Sequence, residues 1–201
     1  VLSPDYGVSW DEPDNNLYGQ QALRAYLTLR PPNEWQSNLE SKGPFFMAVA
    51  EAFSLGMSRV LGGWDQPEAR HLAYFLSFTT ATAAFYSLAS LTSRRFGAIA
   101  ATLLFISQPL LFGHAFINPK DIPFMAFFLV TIVLGTNAIR NLESQQQPPW
   151  KAVVFIVLTG LSLGLTTSIR VFGVFAGALL TARGWLRLKS GFARATIGIW
   201  L

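Results

Sequence analysis

Apolar residues gather in four long runs, at 71–91, 96–112, 122–139 and 152–169. Each approaches the roughly 20 helical residues needed to cross a hydrocarbon core, so each is predicted as a membrane-spanning helix. A fifth run at 171–182 extends through Trp185 to about 188, and 196–201 reads as the start of another. The polar connectors alternate in kind. Arg94-Arg95, the stretch from Arg140 to Lys151, and the stretch with Arg183, Arg187, Lys189 and Arg194 carry eight bases and one acid, Glu143, whereas the connectors at Lys120 and Arg170 carry two bases. Lys and Arg favour cytoplasmic loops. The first set is therefore expected inside, with residues 1–70 and the Lys120 and Arg170 connectors sharing the outer face.

Residues 1–70 contain two helical patterns. Asp14 is expected to cap a helix over about 15–29 that ends before Pro31-Pro32. A second is expected over 44–61, stopped by Gly62-Gly63. Its apolar residues Phe45, Val49, Phe53, Met57 and Val60 recur at spacings of three and four, with Glu51, Ser54 and Ser58 elsewhere on the wheel. That pattern suits a helix lying along the membrane interface. Spanning would put Glu51 and Arg59 at depth, where charge is costly. No internal repeat or strand alternation occurs, and Gln145-Gln146-Gln147-Pro148-Pro149 reads as a short flexible connector. The expected fold is all-α: residues 1–70 an extracytoplasmic loop with two juxtamembrane helices, and 71–201 a polytopic transmembrane helical bundle.

Composition agrees. Of 201 residues 51% are hydrophobic and 13% charged, with mean hydropathy +0.36; soluble domains average about 25% charged residues. The net charge of +4 hides an asymmetry: nine acids and five bases in residues 1–70 leave −4 there and +8 in the rest. The absence of Cys excludes a disulfide scaffold, an iron–sulfur cluster and a Cys-zinc site. Nucleic acid is excluded as a partner because the bases lie between apolar runs and not on one amphipathic face.

Three groups of residues could carry chemistry. Asp11 and Glu12, between Trp10 and Pro13, are adjacent carboxylates; Pro13 is expected to hold Glu12 extended. Two such acids should raise the pKa of one unless a cation or metal sits nearby, which suits a general base. The same residues also fit a solvated acidic turn with Asp14 as helix cap. In His114-Ala115-Phe116-Ile117-Asn118-Pro119-Lys120-Asp121-Ile122-Pro123, Lys120 breaks the charge alternation. It fits a point charge for a phosphate. Asp121 fits a second carboxylate, a ligand for a divalent cation shared with Asp11 and Glu12, or the cap of the helix entered through Pro123. His114 reads as a polar interface residue. Arg170, between apolar runs with no acid near it in sequence, fits either a fork on a lipid phosphate or a snorkelling side chain. Acids and bases at the outer mouths of consecutive spans suit a phosphate-bearing lipid and a second, polar substrate, and no Walker loop, zinc-protease motif or nucleophile elbow competes.

Gly7-Val8-Ser9-Trp10-Asp11-Glu12-Pro13 with Tyr18-Gly19, then Ala69-Arg70-His71-Leu72, Arg94-Arg95-Phe96-Gly97, Asn118-Pro119-Lys120-Asp121-Ile122-Pro123 and Ser168-Ile169-Arg170-Val171-Phe172-Gly173 occur in this order. The set resembles the GT-C superfamily, and more narrowly bacterial relatives of glycosyltransferase family 39, which includes protein O-mannosyltransferases and aminoarabinose transferases of lipid A. The resemblance implies a multi-pass glycosyltransferase of the plasma (inner) membrane, with a polyprenyl-phosphate sugar as donor at the outer face. It implies Asp11 as base with Glu12 beside it, Lys120 and Asp121 as second-loop polar residues, and Arg170 as a donor-phosphate ligand. The acceptor is a protein, a lipid or a glycan; no cofactor is implied, with a divalent cation left open. A single displacement from a phosphate leaving group would invert the anomeric centre. The chain is expected to be an N-terminal fragment that lacks the first span and the large C-terminal portion. The rival readings are a transporter or lipid-binding scaffold recognising a phosphate headgroup, in which Asp11-Glu12 would be out of place, and a purely structural membrane subunit.

Overall fold

A computed structural model describes residues 6–32, 34–35, 43–60, 65–144 and 148–187. Among them are eight α-helices and no strand: α1 (Glu12–Thr28), α2 (Phe45–Val60), α3 (Gln66–Thr92), α4 (Arg95–Ile106), α5 (Pro109–Ile117), α6 (Asp121–Glu143), α7 (Pro149–Ile169) and α8 (Val174–Arg187), with one 3-10 turn at Val171–Gly173. The protein is all-α and of membrane type. Helices α3, α6 and α7 are long and apolar enough to cross a membrane, and α4 with α5 passes the same test as a bent pair. The glycines at 62–63, the glutamines at 145–147 and the run at 196–201 lie outside the described residues. The chain divides into two compact units, Val1–Ala126 and Phe127–Leu201.

In the first unit α1 packs on α2, α2 on α3, and α3 on α4 and α5. The start of α1 departs from the sequence reading: Glu12 is helical and not extended, and Asp14 is an exposed first-turn residue and not the cap. Pro13 is tolerated because first-turn N–H groups have no intrahelical acceptor to lose. Asp11 takes the N-cap position. At the other end Leu29 turns left-handed at φ 52° ahead of Arg30-Pro31-Pro32.

Helix α1 lies very close to α2. A Cβ on Gly19 would sit 2.7 Å from the Met47 carbonyl oxygen, so no larger residue fits without moving a helix. Next to it, buried Tyr18 packs on Met47 and Trp35. Helix α2 turns its polar edge inward: Glu51 and Ser54 are buried, while Val49 and Val60 are exposed. The buried face also takes Phe46, Met47, Ala48 and Ala50, so it is mixed and not purely apolar. Ser54 Oγ donates to the Gln66 carbonyl at 3.1 Å. The Arg70 guanidinium donates to Glu51 Oε2 through Nη2 and, at 3.1 Å, through Nε.

The apolar run at 96–112 is not one helix. Helices α4 and α5 meet at 64°, because Pro109 removes an N–H and forces Gln108 out of the α region, to φ −66° and ψ 113°. The bend lets α5 fold onto α3. Phe116 stacks on Phe75 at 4.5 Å and on Tyr6 at 4.4 Å. Through Tyr6 the segment ahead of Asp11 is fixed to this aromatic layer.

In the second unit the Thr131 hydroxyl of α6 meets Ser162 Oγ at 2.8 Å and Thr166 Oγ1 at 3.0 Å on α7, all three buried. Interhelical hydroxyl pairs of this kind hold helices together where apolar burial supplies no driving force. Ile139 and Leu180 form a small apolar centre. Helix α8 has 14 residues, or about 21 Å at 1.5 Å per residue, short of a hydrocarbon core of about 30 Å.

Candidate active site

The turn entering α1 is organised by its own polar groups. Glu12 N–H donates to the Ser9 carbonyl at 3.1 Å, and Glu12 Oε2 accepts the Ser9 N–H at 3.1 Å. Ser9 Oγ donates to Asp11 Oδ1 at 3.0 Å, and Asn15 Nδ2 donates to Asp11 Oδ2 at 3.1 Å. Asn15 is one helical turn beyond Asp11, so helix formation itself brings the amide to the carboxylate.

The structure separates the two adjacent carboxylates. Glu12 is 0% exposed and faces His71 of α3, whose Nε2 lies 3.1 Å from Oε1 and 3.2 Å from Oε2. With Glu12 ionised the contact requires a hydrogen on Nε2, since a carboxylate only accepts. Asp11 keeps 34% of its side chain exposed. Its outer oxygen, Oδ2, lies 3.6 Å from Lys120 Nζ.

Lys120 reaches that position from a loop shaped by Asn118. The Asn118 Oδ1 accepts backbone N–H groups of Lys120 at 3.0 Å and of Asp121 at 2.8 Å, while its Nδ2 donates to Asp121 Oδ2 at 3.0 Å. Asn118 thus provides the loop's backbone hydrogen bonds that the sequence reading had open to Asp121. Asp121 is exposed, at the first turn of α6. The partly buried His114 lies on α5, and its carbonyl accepts the Asn118 N–H at 3.0 Å.

The electrostatics follow the exception that the sequence left open, a cation near the two acids. Burial pushes the Asp11 carboxyl up, but the hydrogen bonds from Asn15 and Ser9 and the Lys120 charge outweigh it, leaving the group below its ordinary 3.8. The cation that relieves the pair is a lysine. Among the described residues no group of three or more His, Cys, Asp or Glu side chains could hold a metal ion.

The sequence reading placed His71 in the ordered set and at the first position of a span, but gave it no role in the site. Two ionisable residues in succession, Arg70-His71, at the head of a long apolar helix were the available signal. Each takes a buried acid from a preceding helix, Arg70 from α2 and His71 from α1.

Arg170 belongs to the second unit. It ends α7 in an extended conformation, φ −146° and ψ 136°, with its N–H on the Thr166 carbonyl at 3.1 Å. Its side chain is partly buried. Gly173 fixes the turn, because a Cβ there would lie 2.6 Å from Thr167 N, and its N–H donates to the Arg170 carbonyl at 2.9 Å.

Among known proteins, neither the curated sequences nor the solved structures contain a match to this chain. A family model does match, the one described as dolichyl-phosphate-mannose-protein mannosyltransferase, over residues 40–191. The matched range includes His71, Lys120, Asp121 and Arg170 and begins after Asp11 and Glu12. The description pairs a lipid-phosphate-linked sugar donor with a protein acceptor, and the membrane-type helices and the carboxylate beside a lysine suit such a transfer. With more than half of its length matched, the chain belongs to the dolichyl-phosphate-mannose-protein mannosyltransferase family of membrane glycosyltransferases.

Proposed function

We propose that this chain carries the reaction centre of a GT-C, family 39-like enzyme that transfers a sugar from a polyprenyl-phosphate donor to an acceptor at the outer face of the plasma membrane, with inversion. The observation that carries the reading is the partly exposed Asp11 carboxylate beside Lys120. A carboxylate open to solvent can take a proton from an acceptor hydroxyl. A lysine beside it can meet a phosphate. A headgroup carrier has no use for an acid at that position, and the family match favours transfer over carriage.

The reaction then needs little else. The acceptor oxygen attacks the anomeric carbon as its proton passes to Asp11; the bond from that carbon to the phosphate oxygen breaks, and its electron pair leaves with the polyprenyl phosphate. Phosphate is already a good leaving group, so no general acid is required. Lys120 offsets the charge that grows on the departing phosphate. A phosphate that draws on Lys120 also weakens one of the influences that lower the proton affinity of Asp11. The base therefore becomes stronger when the donor is in place. The resemblance assigns Arg170 to the donor phosphate as well, and Asp121 to a supporting carboxylate.

The test is Asp11→Asn in the purified full-length protein supplied with a polyprenyl-phosphate sugar. Turnover should fall by about 10²–10⁴-fold, the usual contribution of general acid–base catalysis, with donor binding kept. Turnover near the parent value refutes the assignment. For orientation, cysteines at positions 11 and 120 should label from outside the cell and one at 144 only after permeabilisation; labelling of 11 and 144 from one side refutes it.

A further inference from the structure

Glu12, His71 and Ser9 form a line of contacts that the reaction above does not use. His71 Nε2 holds both oxygens of the fully buried Glu12 at 3.1 and 3.2 Å. Glu12 Oε2 in turn takes the Ser9 N–H at 3.1 Å, and Ser9 Oγ donates to Asp11 Oδ1 at 3.0 Å. Every link joins the next through a specific atom. We infer that His71 is a positioning residue for the reaction: by clamping Glu12 it holds the Ser9 turn, which aims the Asp11 carboxylate, so that of the two adjacent acids Asp11 reacts and Glu12 supports.

The division follows from burial. Glu12, at 0% exposure with both oxygens turned to the imidazole, has neither room for an acceptor nor an oxygen open to solvent. Asp11, with 34% of its side chain exposed, has both. The clamp also comes from the right element, because α3 carries the aromatic layer on which α5 folds, and α5 leads into the Lys120 loop. One helix thus references both sides of the site.

The titratable and charged groups around the turn are Glu12 and Asp14 on α1, Lys120 on the loop, Asp121 at the start of α6, Arg70, His71 and Tyr74 on α3, and Glu51 on α2. Releasing Glu12 frees Ser9 and removes one of the hydrogen bonds that hold the Asp11 proton affinity down. A disturbed clamp therefore shifts the acidic limb of the kcat/KM profile to higher pH. Loss of fold alone would lower the amount of active enzyme and leave that limb in place.

This inference rests on the reading of Asp11 as base, and the experiment separates the two. Steady-state transfer from a polyprenyl-phosphate sugar is measured against pH for parent, His71→Phe, His71→Gln and Ser9→Ala enzymes. His71→Phe keeps a ring but no donor; it should lower kcat by roughly 10-fold or more with donor KM little changed and move the acidic limb upward. His71→Gln places an amide nitrogen near the Nε2 position and should restore most of kcat. If His71→Phe does not fold, Ser9→Ala carries the test, because it removes only the last link at the surface turn and should move the limb in the same direction. A parent-like limb and kcat in His71→Phe, or in Ser9→Ala where the first cannot be made, overturns the positioning role. Parent-like turnover in Asp11→Asn instead overturns the reading on which it rests.

Discussion

Gly19 and Gly56 sit inside neighbouring helices, and the same substitution should act on them with opposite sign. In either helix Ala over Gly gains roughly 0.5–1 kcal/mol, because Gly loses more backbone freedom on folding. At Gly56 a Cβ meets nothing within 4 Å, so that gain stands. At Gly19 it meets the Met47 carbonyl oxygen at 2.7 Å, the carbonyl carbon at 3.2 Å and Cβ at 3.4 Å. That oxygen is helical backbone and cannot rotate aside. Helix α1 must back away from α2, at the roughly 1–3 kcal/mol typical of overpacking. The propensity gain cancels between the two variants, leaving Gly56→Ala more stable than Gly19→Ala by about 1–3 kcal/mol. At about 2–4 °C per kcal/mol for a chain of this size, their melting temperatures should differ by roughly 2–12 °C. Thermal unfolding of the purified full-length variants measures this directly. Gly19→Ala should also transfer sugar more slowly, since α1 begins with Glu12 and has Asp11 at its N-cap position. Equal melting temperatures, or the higher one for Gly19→Ala, would refute the close-approach reasoning.

Other perturbations test separate parts of the structure. Glu51→Ala leaves Arg70, 4% exposed, without its carboxylate and should cost about 3–5 kcal/mol, whereas Glu51→Leu with Arg70→Met should recover most of it; a single variant as stable as the parent argues against a buried pair. Burial raises Asp11, yet Asn15, Ser9 and Lys120 leave it lowered. A depressed carboxylate stabilises above its unfolded value and loses that contribution as pH falls through the folded one. The stability advantage of the parent over Asp11→Asn should therefore be full at neutral pH and shrink below 3.8, as denaturant titration at both ends will read; an advantage undiminished at about pH 2 contradicts the direction. Lys120→Ala should impair donor use while changing stability by no more than about 1 kcal/mol, because a pair 18% and 34% exposed at 3.6 Å is worth little to the fold. Arg170→Lys keeps the charge and loses the fork, so donor KM should rise; donor kinetics equal to the parent's end the phosphate assignment for Arg170.

Helix existence was legible because it depends on local patterns. The spacing of Phe45, Val49, Phe53 and Met57 marked α2 as a helix, Pro44 marked its start to within a residue, and Pro31-Pro32 marked the end of α1. The break between α4 and α5 was written in Pro109 but hidden by the unbroken hydrophobicity around it, since hydropathy is blind to a missing N–H. Charge was read less well. Asp11 and Glu12 looked like one acidic doublet because sequence carries no burial; helix α1 rotates one to solvent and the other to His71. Lys120 was singled out for breaking the charge alternation, which is local. That alternation put its loop on the same face as Asp11, while the contact itself, across more than a hundred residues, is tertiary.

The division between a polar N-terminal portion and an apolar remainder falls between Arg70 and His71, yet both residues hold acids that come from before it. A truncation at that point would strip Glu12 of its imidazole, and one a few residues earlier would strip Glu51 of its guanidinium as well. Each acid would then sit in an interior shaped for an ion pair, or the interior would open to hydrate it. The N-terminal portion is therefore not a detachable module that can be expressed, crystallised or grafted by itself. Its counter-charges are stored in the first turns of α3, the long apolar helix that follows, and a transplant of the Asp11 turn to another scaffold must bring that helix end with it.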